Sequence, residues 1–225
     1  GCLCCAARGD ITRTIGELLA RRAAGEIAFE RIVIETTGIA DPAPILQGLM
    51  LDASLAGVVR LGRVVATVDA LAGPATLASR GEARRQAAFA DQLVVTKADL
   101  AGAEAAAALA VGLAALNPTA QVTVAAMGAV DPAVLLPDLE DAPTARWATL
   151  AAEIDRVQAH RHDHAHAHDH GRPHGSVLAV VLRREAPVRA AALPLFLEAL
   201  AETFGPKLLR LKGLVSIAEA PDRPA

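Results

Sequence analysis

Gln92-Leu-Val-Val-Thr-Lys-Ala-Asp99 decides the fold. Three of its first four residues are Leu or Val, none of the four is charged, and polar side chains then arrive together just before a helical pattern. A near-continuously apolar run of this length predicts a strand buried on both faces, as in a parallel sheet. Similar runs stand at Arg31-Ile-Val-Ile34, Arg63-Val-Val-Ala-Thr-Val68 and Gln121-Val-Thr-Val124. Helical patterns cover 11–24, 42–51, 82–89 and 100–116. Strand, helix, strand at this spacing predicts βαβ units and an α/β fold: a mostly parallel sheet with helices on both faces. Ligands of such sheets sit at the carboxyl ends of the strands. The polar tails found there are Glu35-Thr-Thr-Gly38, Asp69 and Thr96-Lys-Ala-Asp99.

Composition supports a buried core. Hydrophobic residues make up 53% of the 225 residues and charged ones 21%, while aromatics are only 2% with no Tyr. Ala, Val, Leu and Ile must therefore fill the interior. The net charge of −3 and the lack of a long basic run argue against nucleic acid as a partner. The most apolar stretch, 101–116, carries Glu104 and two glycines and falls short of a membrane span, which needs about 20 residues. No membrane partner is expected. Three cysteines at positions 2, 4 and 5 make a poor disulfide set and predict a reducing cytoplasmic setting.

Chemistry is concentrated in four places. An Asp at position 99 can accept two hydrogen bonds from the N1–H and exocyclic amine of guanine, which adenine does not offer; the wrong base would leave the carboxylate unpaired. The Lys97 stem can lie across the base plane. The plain structural alternative is that Asp99 caps a helix beginning near Leu100. In Glu35-Thr-Thr-Gly-Ile-Ala-Asp-Pro42, a carboxylate at the end of a buried strand is placed to hold Mg²⁺ through water, with Gly38 offering its N–H to a terminal phosphate and Thr36 and Thr37 orienting the loop. Asp41-Pro42 reads as a helix N-cap followed by a first-turn proline.

In Gly1-Cys-Leu-Cys-Cys5, three thiolates leave a fourth tetrahedral position, which suits Zn²⁺ or a similar ion. Side chains alternate along a strand, so Cys4 and Cys5 serving one ion predict a turn there. All 7 histidines fall in one tract: His160, His162, His164, His166, His168, His170 and His174. Near-alternate imidazoles chelate Zn²⁺, Ni²⁺, Co²⁺ or Cu²⁺ in interchangeable sets, and a flexible tract suits capture; a solvated spacer is the alternative. The tract divides the chain into 1–150, a linker over 151–175 and a small partial α/β region over 176–225. A short helix over 147–157 is expected before it, and a strand over 177–182, a helix over 193–203 and a strand over 208–217 after it.

Taken in order, the cysteine run, Glu35-Thr-Thr-Gly-Ile-Ala-Asp-Pro42, Thr96-Lys-Ala-Asp99, the His-rich tract and Leu208-Leu-Arg-Leu-Lys-Gly-Leu-Val-Ser-Ile217 resemble the CobW family of P-loop GTPases, whose relatives mature urease and hydrogenase. The resemblance implies a metallochaperone or metal insertase that uses GTP and Mg²⁺, carries Zn²⁺ or Co²⁺ and serves a client metalloprotein. It implies that Cys2, Cys4 and Cys5 form the metal motif and that Glu35, Thr37 and Gly38 belong to the Walker-B and switch segment, with Glu35 the candidate catalytic carboxylate. It also implies that Thr96, Lys97 and Asp99 read guanine. No Gly-x-x-x-x-Gly-Lys-Ser/Thr occurs between Gly1 and Ala225. The family's phosphate loop precedes the cysteine motif, so the expectation is of a piece lacking both ends, with poor GTP binding and negligible hydrolysis. The rival expectations are a metal buffer on a vestigial GTPase fold, and an ATP-using enzyme, against which Asp99 speaks.

Overall fold

The computed structural model describes residues 3–55, 57–136, 180, 182–208, 211 and 213–220. Three strands form one parallel sheet in the order β1 (Val65–Asp69), β2 (Gln92–Thr96), β3 (Gln121–Val124). Asp69 pairs in register with Thr96, so the polar carboxyl ends of β1 and β2 lie side by side. In β2 the exposures of Gln92, Leu93, Val94 and Val95 run 0%, 0%, 2% and 0%. Since alternate side chains face opposite ways, four buried neighbours mean that both faces of the strand are covered. The α/β reading of 92–99 holds.

The helices are α1 (Leu3–Ala23), α2 (Pro42–Leu51), α3 (Gly73–Ser79), α4 (Gly81–Phe89), α5 (Ala98–Ala101), α6 (Ala103–Leu116) and α7 (Pro132–Leu135); α6 packs on β2 and β3, while α1 lies against α2. The core gathers Val68, Leu93 and Val95 of the sheet with Ala87 of α4 and Ala106, Leu109 and Leu113 of α6. Small alanines on both helices let them lie close to the sheet, which is how a chain with so few aromatics fills its interior. At Gly73 the approach is closer still: a Cβ there would stand 2.7 Å from Val68 Cγ1 and 3.4 Å from Leu109 Cδ2. Only glycine lets the start of α3 sit against the end of β1.

Asn117 ties two helix ends together. It is 5% exposed, and its Nδ2 donates to the carbonyls of Ala87, Ala88 and Ala90 at 2.8, 3.1 and 2.9 Å. These carbonyls belong to the end of α4, where intrahelical donors run out. Asn117→Leu keeps the volume but strands these acceptors, so it should destabilise the 225-residue chain by roughly 2–4 kcal/mol. Urea denaturation of parent and variant measures this; a change below about 0.5 kcal/mol, typical of a neutral surface site, would refute it.

Several expected boundaries are corrected. No strand forms over 31–34: Val33 is 70% exposed, and no partner strand pairs with this segment among the described residues. An apolar run becomes a strand only where a neighbour supplies the other half of the ladder. The helix expected over 11–24 begins at Leu3, because no proline interrupts the run from there. The helix expected over 100–116 is split at Gly102, whose φ of 86° breaks the helical path into α5 and α6. α3 and α7 were not anticipated; Gly73-Pro74 reads locally as loop, and α7 is a single turn capped by Asp131.

In the carboxyl-terminal part, α8 (Ala192–Phe204) matches the helix expected over 193–203 and runs into a 3₁₀ turn, Gly205–Lys207. Among the described residues of the strand expected over 208–217, only isolated bridges appear, from Ile217 to Val188 and to Ala220. None of the side chains of α8 is buried, and Leu195 is 67% exposed. The helix expected over 147–157, the histidine tract with its linker over 151–175, and most of the strand expected over 177–182 lie outside the described residues. Among the described residues no helix is long and apolar enough to cross a membrane.

Candidate functional site

The loops leaving β1, β2 and β3 share one edge of the sheet, because all three strands run the same way. β2 ends at Thr96, and the chain turns sharply at Lys97, whose φ of 58° lies in the left-handed region. That conformation is uncommon for a residue with a side chain and costs about 1–2 kcal/mol. Backbone bonds hold it: the Lys97 carbonyl accepts from Leu100 N and Ala101 N at 3.0 and 3.1 Å, and Ala98 N donates to the Ala125 carbonyl at 3.3 Å. Lys97 occupies the N-cap position of α5, so Asp99 sits inside the first turn and does not cap it. The capping alternative for Asp99 is thereby removed. Its Oδ1 instead accepts from Met127 N at 3.0 Å, in the loop after β3.

That loop was missed by sequence reasoning. Met127 is left-handed at φ 53° and 86% exposed, and Gly128 follows at φ 72°. Its one local signal is Gly128, which stands four residues after the end of β3, glycine being common in loops. Asp69, read from the sequence only as a polar strand tail, gains its partners here. Its Oδ2 meets Lys97 Nζ at 2.6 Å, and its Oδ1 accepts from Leu71 N and Ala72 N at 2.7 and 3.2 Å. The Lys97 hydrogen bond, helped by these two amides, holds the Asp69 carboxyl below the usual carboxylate range. It therefore stays ionised, and its bond to Lys97 intact, until the pH falls well into the acid range.

The segment with Glu35, Thr37 and Gly38 is placed differently from the expectation. Glu35 is exposed and does not end a strand. Ala40 N closes a turn on the Thr37 carbonyl at 3.0 Å. Gln86 of α4 then clips this turn, with Nε2 donating to the carbonyls of Gly38 and Ala40 at 3.2 and 2.8 Å. Asp41 caps α2 by accepting from Ala43 N at 3.0 Å, with Pro42 in the first turn, as read from the sequence. Arg85 Nε lies 3.1 Å from Asp41 Oδ2 but makes no hydrogen bond of good geometry, so this contact is an ion pair of proximity. A cleft beside the turn is lined by Gly38, Ile39, Thr76, Arg80, Glu82 and Ala83.

Cys4 and Cys5 lie in the first turn of α1, where a turn in place of a strand was expected; Cys2 and all the histidines lie outside the described residues. Among the described residues no group of three or more His, Cys, Asp or Glu could hold a metal ion. For Mg²⁺, Glu35 offers a single exposed carboxylate, which fits an ion that takes most of its other ligands from phosphate and water.

A parallel sheet with its polar residues gathered at the carboxyl edge places this chain among the α/β proteins that bind ligands at their strand ends. Residues 1–124 match the model of the CobW/HypB/UreG nucleotide-binding domain, and the chain belongs to that family. It is 29% identical over 223 residues to the zinc chaperone YjiA of Escherichia coli (strain K12), covering 99% of this chain and 65% of the relative. It is 28% identical over 141 residues to zinc-regulated GTPase metalloprotein activator 1 of Schizosaccharomyces pombe, covering 62% of this chain and 33% of the relative. The chain thus spans less than two thirds of the length of either. Among solved structures, the Zn(II)-bound YjiA GTPase from E. coli superposes with a TM-score of 0.51 at 35% identity, over 54% of this chain and 38% of that one. A Zn(II)-bound triple mutant of YjiA GTPase gives 0.58 at 25% identity, over 84% and 55%.

Proposed function

We propose that this chain is the guanine-reading part of a GTP-dependent metallochaperone that carries zinc, with cobalt as the second candidate cargo, to a client metalloprotein in the cytoplasm. The observation that carries this reading is the edge formed by Thr96, Lys97 and Asp99, with Asp99 facing the loop after β3 instead of capping its own helix. Family membership and the names of the two relatives support it. Asp99 takes the N1–H and amine of guanine, and the Lys97 stem covers the ring. Glu35, Thr37 and Gly38 meet the phosphates, Glu35 being the candidate catalytic carboxylate. Bound Mg²⁺ would supply charge neutralisation beside Glu35. Cys2, Cys4 and Cys5 grip the cargo, and the histidine tract, 160–174, captures it from solution.

Cargo release on hydrolysis requires zinc affinity to differ between nucleotide states, since a ligand moves an equilibrium only by its differential affinity. In the full-length protein, zinc affinity measured by chelator competition should change at least about fivefold on adding a non-hydrolysable GTP analogue, the lower end of usual coupling. Equal affinity with and without the analogue would refute the coupled chaperone and favour the buffer, whose thiols and imidazoles take no account of nucleotide.

A further inference from the structure

The geometry points to Asp69 as a positioning residue for nucleotide binding: it fixes the Lys97 side chain in the pose that receives the base. This rests on the guanine reading proposed above and adds a determinant from another strand. Lys97 leaves the backbone in a left-handed conformation, and its ammonium meets Asp69 Oδ2 at 2.6 Å across the β1–β2 pair. The Lys97 side chain is 55% exposed, so its stem keeps an open face while its head is tied. Asp69, only 27% exposed, is itself tied by Leu71 N and Ala72 N, in the turn that leads into the close contact of Gly73 with Val68. The fixation therefore runs from the packed start of α3, through one carboxylate, to one ammonium.

A free lysine has many rotamers, and most of that freedom would be lost when a ring settles on its stem. Holding the side chain beforehand moves that loss from binding to folding, the usual route by which preorganisation raises affinity. An isolated exposed ion pair does little for stability. Asp69 should accordingly show its effect in binding more than in folding.

The test uses the full-length protein and Asp69→Asn. Asn keeps an oxygen for Leu71 N and Ala72 N but drops the charge facing Lys97. GDP and ADP affinities are measured for the parent, Asp69→Asn, Asp69→Glu, Lys97→Ala and the Asp69→Asn/Lys97→Ala pair, with the Lys97 ammonium followed by NMR without nucleotide. The expected result is a loss of GDP affinity of about tenfold in Asp69→Asn, substantial recovery in Asp69→Glu, and a double variant no weaker than Lys97→Ala alone. A protected Lys97 ammonium signal is expected in the parent and not in Asp69→Asn. Unchanged GDP binding in Asp69→Asn, or losses that simply add in the double variant, would overturn the assignment. So would equal losses in Asp69→Glu and Asp69→Asn. A parent that does not prefer GDP to ADP would instead refute the guanine reading, and that is seen before any variant is compared.

Discussion

Asp99→Asn should lower the affinity of the full-length protein for guanine nucleotides by at least about a hundredfold and raise that for xanthine nucleotides. A carboxylate accepts from both the N1–H and the amine of guanine. An Asn turns an NH₂ toward that amine, placing donor against donor. Xanthine carries a carbonyl where guanine carries the amine and so restores the pairing. The fold should survive, because the bond that Asp99 makes here needs only an acceptor for Met127 N, and the Asn oxygen provides one. Asp99 is also not the cap of α5, so no helix start is lost. Competition of GDP and xanthosine diphosphate against a fluorescent nucleotide decides the matter. An unchanged order of preference would remove Asp99 from base recognition.

Replacing Cys2, Cys4 and Cys5 together by Ser should weaken zinc binding by roughly a thousandfold or more. Removing a single outer-shell partner already lowers affinity by about 10- to 100-fold, and here the thiolates themselves are lost to neutral hydroxyls. Affinity, and not the mere presence of zinc, is the required readout, because the histidine tract offers weaker, interchangeable ligands that would still load at high concentration. Titration against a chromophoric chelator separates the two classes. If the triple variant stays within about threefold of the parent, the principal ligands lie elsewhere and the tract becomes the first candidate. The expected residual affinity should also be indifferent to nucleotide.

What could be read in advance depended on how local its cause was. β2 and the start of α2 were legible because a buried central strand and an Asp-Pro helix start each announce themselves within a few neighbouring residues. The residues 31–34 carry the same apolar signature as β2 but remain unpaired, since a ladder is a relation between distant segments that no short window contains. Thr96, Lys97 and Asp99 could be placed because a strand end is a local event. The partners they take could not be: Asp69 and Met127 each lie 28 residues away from the groups they touch, and only strand register brings them there. The break at Gly102 was visible as a glycine within a helical pattern, yet composition alone did not show whether the helix would pass through it. The helical setting of Cys4 and Cys5 escaped notice for a different reason. Metal-binding chemistry constrains where thiols meet but not which backbone carries them.

The clip on the Gly38 turn has an energetic consequence. Its parts are two hydrogen bonds from one neutral amide, that of Gln86, and a partly exposed Arg85–Asp41 contact. Neutral hydrogen bonds contribute about 0.5–1.5 kcal/mol each, and such ion pairs about 0–1. These polar ties moor the turn to α4 by about 1–4 kcal/mol: firmly enough to have a resting posture, loosely enough that a modest bias suffices to cast it off. Reversing a hundredfold preference in either direction takes about 5.5 kcal/mol. A polypeptide moored in this way can relay a small chemical event as a mechanical one without unfolding anything.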